Sequence, residues 1–272
     1  MILAEIVGGK SVVIIAPGAY LAGSKQRSKI ESHDIVCRIN RGFPVPPNMV
    51  EDISDRCDVL FHLLAVGMAA NEKEFAPLVG HVGYIVSTHH QGEPRIARFK
   101  TVNRGRIPFE CVPFSTIQRV KLRVKKAPNA GLIAVTHLLN QPIKSLYLTG
   151  FSFYEDGYYV GYGGRDARAS AAMRGGQAGH DQITAKAYMK DLLSATTVPV
   201  EVDETMKRIL DRALSIRRQI EEIHGLKNQA LVTLKATMAQ RFGAETIMPG
   251  DTMVRVKSEA DILIRKGRAI LI

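Results

Sequence analysis

Short apolar runs rich in β-branched residues alternate with helix-like stretches over the first 202 residues of the chain. Runs of this length and character are typical of strands buried on both faces of a parallel sheet. They lie at SVVIIA (11–16), DIVCRI (34–39), CDVLFHL (57–63), GYIVST (83–88), SLYLTG (145–150) and VPVEV (198–202), with ECVPF (110–114) as a further candidate. The pattern predicts an α/β fold: an open, mostly parallel Rossmann-like sheet of about seven strands with helices on both faces. The binding crevice is expected at the carboxyl ends of the strands.

Helical patterns separate most of these runs. The clearest are SKQRSKIES (24–32), AANEKEFAPLV (69–79), NAGLIAVTHLL (129–139) and DQITAKAYMKDLLS (181–194).

The pattern changes after Asp203, which predicts a C-terminal helical extension. Apolar residues recur every three or four positions in 204–242, as in an amphipathic helix or a helix pair broken at Gly225. Three interpretations stay open for this segment: packing on its own domain, self-association, or contact with a membrane surface. Residues 243–272 alternate around a Lys-Gly turn and predict a short strand or hairpin. The chain therefore divides into a domain at 1–203, a helical segment at 204–242 and a tail at 243–272.

Composition excludes several classes of protein. The chain has 272 residues, 46 % of them hydrophobic, and no apolar run as long as a membrane span. No signal peptide is evident, which predicts a cytoplasmic protein and leaves peripheral contact with the inner membrane open. The cysteines Cys37, Cys57 and Cys111 are too few and too scattered for a disulfide framework or a zinc site, so buried thiols are expected.

The net charge of +11 favours anionic partners: nucleic acid, lipid head groups, or a nucleotide and an acidic glycan. No basic stripe interleaved with aromatic residues is present, so no specific nucleic-acid partner is expected.

Residues 11–41 are the most informative stretch. A short strand leads into a Pro-Gly turn (16–24), a polar helix and a second strand that ends at Asn40. A tight turn that opens into a helix presents backbone N–H groups to a phosphate. The turn is not a G-x-G-x-x-G fingerprint, and an ordinary strand–helix turn is the competing interpretation.

This stretch resembles the long sialylmotif of family 29 glycosyltransferases, the sialyltransferases. The ordered match includes Val12-Val13, Gly18, Leu21, Gly23-Ser24, Ile30, Ser32-His33-Asp34, Val36, Arg38 and Asn40. The resemblance implies a GT-A-like variant of the Rossmann-like fold and a site for a CMP-sugar, to which Gly18 and Asn40 contribute. Pro17 stands where the family usually has a nucleotide-binding Asn, whereas His33 and Asp34 are expected to cap the strand entrance.

Residues 128–153, PNAGLIAVTHLLNQPIKSLYLTGFSF, resemble the short sialylmotif. Asn129, Ala130 and Gly131 would open a helix whose backbone N–H groups face a ribose or phosphate, and the following strand ends at Gly150-Phe151. The animal members join the two motifs by a disulfide, whose cysteines are absent here. The chain is therefore identified as a non-animal member of the family, bacterial or viral.

The third resemblance is Gly179-His180-Asp181, which is similar to the very short sialylmotif. His180 fits the family's catalytic histidine, but Ala185 stands where a supporting Glu is expected. Tyr159 and Tyr162 match loosely the family's aromatic motif and are added to the donor-binding set. The Gly-rich segment 155–181 predicts a loop over the site, in which Arg165, Arg168 and Arg174 either pair with a substrate carboxylate or remain solvated.

These residues predict a CMP-sugar-dependent glycosyltransferase, sialyltransferase-like, acting in protein glycosylation or polysaccharide biosynthesis. His180 would take the proton of an acceptor hydroxyl in an inverting displacement of CMP from sialic acid or a Kdo-like sugar. No metal or other cofactor is expected. The nearest match to a metal-binding Asp-x-Asp motif is Glu201-Val202-Asp203, and it is a weak one. The partners would be the donor and a glycan or glycolipid acceptor, with a homo-oligomer through 204–242 left open. The alternative is a non-catalytic nucleotide-binding or glycan-assembly protein on the same fold.

Overall fold

The protein was studied as a computed structural model, which describes residues 2–64, 72–172 and 180–212. The strands are β1 (Ser11–Ile15), β2 (Ile35–Ile39), β3 (Cys57–His62), β4 (Val82–Ser87), β5 (Phe109–Cys111), β6 (Ser145–Thr149) and β7 (Val200–Val202). The helices are α1 (Leu3–Val7), α2 (Arg27–Glu31), α3 (Val50–Ile53), α4 (Glu72–Phe75), α5 (Pro94–Asn103), α6 (Phe114–Arg123), α7 (Ala130–Leu138), α8 (Ala167–Ala171) and α9 (Gln182–Ala195), and residues 204–212 are also helical.

The seven strands form one sheet in the order β5-β4-β3-β2-β1-β6-β7, and every neighbouring pair is parallel. The α/β prediction is therefore confirmed. The chain steps outward from β1 to β5 and then returns to β6, on the other side of β1. The connections leaving β1 and β6 therefore start next to each other, at the type of position where open α/β sheets bind ligands.

Alternation along β1 explains why helices cover both faces. Val12 and Ile14 pack into a cluster that contains residues of α7 and α9, whereas Val13 and Ile15 pack on the opposite face with Ile30 of α2. Successive side chains of a strand point to opposite faces, so a strand apolar at every position requires cover on both.

The main difference from the predicted elements is at the edge of the sheet. The run 110–114 is a strand only to Cys111, and Phe114 already begins α6. Helices α1, α3, α5, α6 and α8 lie outside the predicted helical stretches. The hydrophobic pattern was ambiguous there because short apolar segments support both periodicities.

Two motif residues are structural. Asp34 accepts hydrogen bonds from the backbone N (2.8 Å) and the hydroxyl (2.7 Å) of Ser11, which ties the entrances of β1 and β2. Arg38 is 1 % exposed and donates to the carbonyls of Ile53, Ser54 and Arg56. Those acceptors satisfy a buried guanidinium without a carboxylate.

Cys37 and Cys57 are buried as predicted, whereas Cys111 is only half-buried. Among the described residues, no helix combines the length and the apolar character needed to cross a bilayer. The segment 213–242 and the tail 243–272 lie outside the described residues.

Candidate functional site

A cleft opens where β1 and β6 end. The backbone N of Gly18 donates to the carbonyl O of Gly150 (2.9 Å), and Ala16 N donates to Thr149 O (2.9 Å). Gly150 has φ +82°, and a Cβ there would lie 2.0 Å from the carbonyl O of Ala16. Only glycine allows this close approach of two backbones. The predicted crevice at the carboxyl edge therefore forms around a glycine required by its geometry.

Residues from the first two sequence motifs meet in this cleft. From the predicted donor-binding set, the lining contains Gly18, Asn40, Asn129, Ala130, Gly131, Gly150, Phe151 and Tyr162. Sequence reasoning did not single out the other lining residues, which are Ala16, Ile39, Leu132, Ser152, Phe153, Tyr154 and Tyr158, and it noted Pro17 only as a departure.

The N-terminus of α7 presents open backbone donors to the cleft. Asn129 is the N-cap, and its Oδ1 accepts from Leu132 N (2.9 Å). The N–H groups of Ala130 and Gly131 lie in the first turn, where a helix offers no internal acceptor. A Cβ on Gly131 would lie 3.0 Å from the Phe151 ring and 3.3 Å from Asn129 Oδ1. These donors and the positive end of the helix favour an anion at this position.

The first βα turn differs from its prediction. Instead of opening an α-helix, it forms a 3-10 turn at Ala19–Leu21. Gly18 N is already bonded to Gly150 O, and Tyr20 N donates to Asp156 Oδ2 at 2.7 Å. A backbone carbonyl and a carboxylate of the protein itself thus occupy two of the donors that the sequence assigned to a phosphate. Gly18 lines the cleft, but its N–H is not available to a ligand.

Asp203 completes this structural network. Its Oδ2 accepts from the Tyr20 hydroxyl (2.6 Å) and from Gly150 N (3.1 Å). Burial, and then the Asp203 carboxylate, raise the pKa of Tyr20 far above its ordinary value. Asp203, part of the weak metal-motif candidate, therefore braces the turn and the end of β6 in this structure.

Asn40 ends β2 with its backbone in the left-handed region (φ +50°). Its Oδ1 accepts from Leu63 N (3.0 Å), which joins the ends of β2 and β3. One acceptor lone pair of this amide is therefore used within the protein. Its Nδ2 group remains the part of the side chain suited to a ligand, since an amide nitrogen carries two donors.

His180 lies beside the cleft. Its ring stacks on Tyr154, with 5.7 Å between centroids and an interplanar angle of 3°. Its Nδ1 is 2.7 Å from the carbonyl O of Ala127. A carbonyl only accepts, so Nδ1 carries the hydrogen, and in the neutral ring Nε2 carries the lone pair. The backbone just before the short-motif helix thus fixes the tautomer of a histidine 53 residues away in the sequence.

Ala185 is 5 % exposed and belongs to the core cluster, so that position faces the core. Ala127 O is the orienting group for His180 in this chain.

Three tyrosines, Tyr154, Tyr158 and Tyr162, form an aromatic group around the cleft. The Tyr154–Tyr158 and Tyr158–Tyr162 ring centroids are 6.0 and 4.6 Å apart. Burial raises the pKa of both Tyr154 and Tyr158, so their hydroxyls stay protonated at neutral pH. Phe153 and Tyr154 have φ values of +50° and +68°, an arrangement that non-glycine residues seldom adopt. A sequence pattern gives no signal for such a backbone.

Tyr159 is the predicted donor-binding residue that the structure places away from the cleft lining. Its side chain is 2 % exposed and packs with Val13 and Ile15 in the core. Its neighbour Tyr158 lines the cleft.

The predicted loop over the site is partly built into the fold. Tyr158 forms an antiparallel bridge with Gly18, and Ser170 of α8 is 2 % exposed. Arg165 lies over the Tyr158 ring (5.6 Å) and the Tyr162 ring (5.5 Å), while Arg168 is exposed. Arg174 lies outside the described residues.

No family model and no curated protein matches the chain. A solved structure of a single-residue variant of the sialyltransferase Cst-II in complex with CMP is similar, with a TM-score of 0.51 and 14 % identity over 71 % of this chain and 80 % of that chain. This chain shares the fold of that solved structure. CstII from Campylobacter jejuni in complex with the substrate analogue CMP-3FNeuAc gives a TM-score of 0.45 and 12 % identity over 71 % of this chain and 79 % of that chain. A mammalian sialyltransferase in complex with Gal-beta-1-3GalNAc-ortho-nitrophenol gives a TM-score of 0.45 and 16 % identity over 73 % of this chain and 71 % of that chain.

Proposed function

We propose that this protein is a glycosyltransferase that moves a nonulosonic acid, sialic acid or Kdo-like, from a CMP-activated donor to a glycan hydroxyl. One observation carries the proposal: three segments far apart in the sequence, each resembling a sialylmotif, converge on one cleft. The first supplies Asn40, the second supplies Ala130 and Gly131, and the third places His180 against Tyr154 of the cleft lining.

The donor phosphate is assigned to the N-terminus of α7. The N–H groups of Ala130 and Gly131 would donate to its oxygens, and the helix dipole would favour their negative charge. Asn40 Nδ2 provides a further donor across the cleft. The surrounding rings of Phe151, Tyr158 and Tyr162 offer flat apolar surface to the base and the sugar.

The transfer needs one base and one charge-stabilising site. The acceptor oxygen attacks the anomeric carbon, the bond from that carbon to the CMP phosphate oxygen breaks with inversion, and the hydroxyl proton goes to His180 Nε2. The electron pair of the broken bond leaves on the phosphate of CMP, where the α7 amides stabilise it. CMP is itself the leaving group, so these residues require no metal or further cofactor for the step.

A non-catalytic nucleotide-binding protein is the second candidate, and the first βα turn favours it. Pro17 has no side-chain donor, and the turn's Gly18 and Tyr20 amides are bonded within the protein. A donor held mainly by α7 would bind more weakly than one held from both sides. CMP binding without transfer would support this alternative.

The test is to incubate the protein with CMP-Neu5Ac and, separately, with CMP-Kdo, and to follow release of CMP with and without glycan acceptors. His180→Ala should lower the rate of transfer by at least about a hundredfold while CMP still raises the melting temperature. His81→Ala, at an exposed histidine away from the cleft, is the matched control. If CMP, UMP and GMP all fail to stabilise the protein, the proposal is wrong.

A further inference from the structure

A second groove, of about 630 Å³, runs alongside the cleft. One side is the proline-rich segment 44–47 together with Pro77, and the other is formed by the glycines at 161, 163 and 164. Arg41 and Glu74 complete the lining. We call this surface the proline groove.

Two arginines meet at the glycine side of the proline groove. A Cβ on Gly163 would lie 2.7 Å from Arg41 Cδ and 2.9 Å from Arg165 Nη1, so both side chains pass directly over this residue. Gly163 also has φ +58°, a left-handed backbone conformation that favours glycine at this position. Gly161 allows an equally close approach to Pro46, at 2.7 Å. Gly163 thus brings the Arg41 side chain and the Arg165 guanidinium to one place.

The charge of this pair is only partly compensated. Arg41 Nη2 is 3.7 Å from Glu74 Oε2, an ion pair too long for a direct hydrogen bond. Arg165 donates to the carbonyl O of Tyr162 (3.2 Å) and forms no ion pair with any carboxylate in the described part of the chain. Within the described residues, Arg41 lines the groove with one distant carboxylate, and Nη1 of Arg165 lies against Gly163 of the glycine side. Each guanidinium carries five N–H donors.

The proline groove and the cleft share a wall. Tyr162 lines the cleft, whereas its neighbours Gly161 and Gly163 line the groove. The same relation holds for Asn40, which lines the cleft, and Arg41, which lines the groove. A molecule in the groove would therefore lie beside a bound nucleotide and be separated from it by the Tyr162 ring.

We propose that Arg41 and Arg165 bind a carboxylate or phosphate of the acceptor, and that this protein transfers its sugar to acidic glycans. This inference rests on the proposed function and adds the acceptor class to it. Guanidinium groups suit planar, bidentate binding of either anion. Proline side chains along the other wall supply apolar surface for the sugar rings without loss of side-chain entropy.

Direct binding tests the proposal without requiring transfer. In the presence of CMP, calorimetric titrations compare 3′-sialyllactose with lactose and trehalose 6-phosphate with trehalose. The wild-type protein should bind at least one acidic sugar about tenfold more tightly than its neutral counterpart, and the pair that shows the difference distinguishes carboxylate from phosphate. Arg41→Gln and Arg165→Gln should each remove about tenfold of that preference.

The controls separate this inference from the proposed function. Arg98→Gln, at an exposed arginine of α5 outside the groove, should change nothing. Arg41→Lys and Arg165→Lys keep the positive charge and should lose less of the preference for acidic sugars than the Gln variants. They test the role of the charge even if a Gln variant folds poorly. Equal affinity for acidic and neutral sugars would overturn the acidic-acceptor inference, as would arginine variants that weaken CMP instead. Loss of CMP binding with the acidic preference intact would instead refute the proposed function alone.

Discussion

Two turns border the cleft, and both looked suited to an anion from the sequence: the first βα turn at 16–24 and the start of α7 at 129–131. At the first, Gly18 N and Tyr20 N are bonded to Gly150 O and Asp156 Oδ2. At the second, Ala130 and Gly131 line the cleft, and their N–H groups have no acceptor within their own helix. A glycine-rich turn therefore indicates an anion site only when no carboxylate of the protein already occupies it.

The largest expected effect on CMP binding is at the start of α7. In Gly131→Val, the added side chain would press on the Phe151 ring and on Asn129 Oδ1, both already within 3.3 Å of a Cβ. Overpacking of this kind costs about 1–3 kcal/mol, so the affinity for CMP should fall at least about tenfold. The measurement is a CMP titration followed by melting temperature. Gly92→Ala, which meets only the flexible His90 ring, is the control; equal CMP affinity in both variants would contradict the assignment of the phosphate to α7.

At the first βα turn, whose amides are bonded within the protein, we expect a loss of stability and no loss of CMP affinity. Asp156→Ala removes the acceptor of Tyr20 N, a charged hydrogen bond whose loss costs about 1.5–3 kcal/mol. The free energy of unfolding in urea should fall by that amount, with CMP affinity changed less than about threefold. Asp55→Ala, at an exposed carboxylate, is the control. A tenfold loss of CMP affinity in Asp156→Ala would show that the first turn binds the donor after all.

The pH dependence of stability sharpens the same contrast. Burial and the Asp203 carboxylate raise the pKa of Tyr20, so the folded state keeps a proton that the unfolded chain loses above about pH 10. Tyr20 therefore contributes stability below pH 10, and this contribution declines as the pH rises further, by up to about 1.4 kcal/mol per pH unit.

Tyr20→Phe should be less stable at pH 8, because two hydrogen bonds are lost, but its stability should decline less steeply above pH 10. Urea unfolding between pH 8 and 11 measures both effects. If stability declined equally steeply with pH in the variant and in the wild type, this role of Tyr20 would be contradicted.

The smallest effect is expected from a substitution that should strengthen CMP binding at the first βα turn. Pro17 lines the cleft without a side-chain donor, and Pro17→Asn would place an amide there. One additional hydrogen bond is worth about 0.5–1.5 kcal/mol, so CMP should bind about two- to tenfold more tightly. Isothermal titration with CMP measures the change. Unaltered or weaker binding would indicate that the donor does not reach this turn.

Hydrophobic pattern predicted the architecture well for a physical reason. Strands buried on both faces must be apolar at nearly every position, so β1, β2 and β6 are recognisable without any tertiary information. The edge strand β5 and helix α6 were not separated, since 110–114 is short and carries no periodicity that distinguishes strand from helix.

The site was predicted as a set of residues but not as a set of roles. Eight of the nine predicted donor-binding residues line the cleft, and His180 lies beside it. Tyr159 lies in the core instead, because a motif match does not tell which of two adjacent tyrosines lines a cleft. The hydrogen bonds of Gly18 and Asn40 could not be predicted, because their partners, Gly150 and Leu63, are distant in the sequence.

The amino-acid sequence by itself determined the α/β class, the carboxyl edge where the cleft lies, and the three segments that form it. These properties follow from local patterns of apolar, small and capping residues. Only the tertiary structure decided that Asp156 fills one anion position while α7 leaves the other open, that Ala127 fixes the His180 tautomer, and that Arg41 and Arg165 meet over Gly163. Each of these depends on which distant groups become neighbours when the chain folds, and hydrogen bonds and charges act only over such short distances.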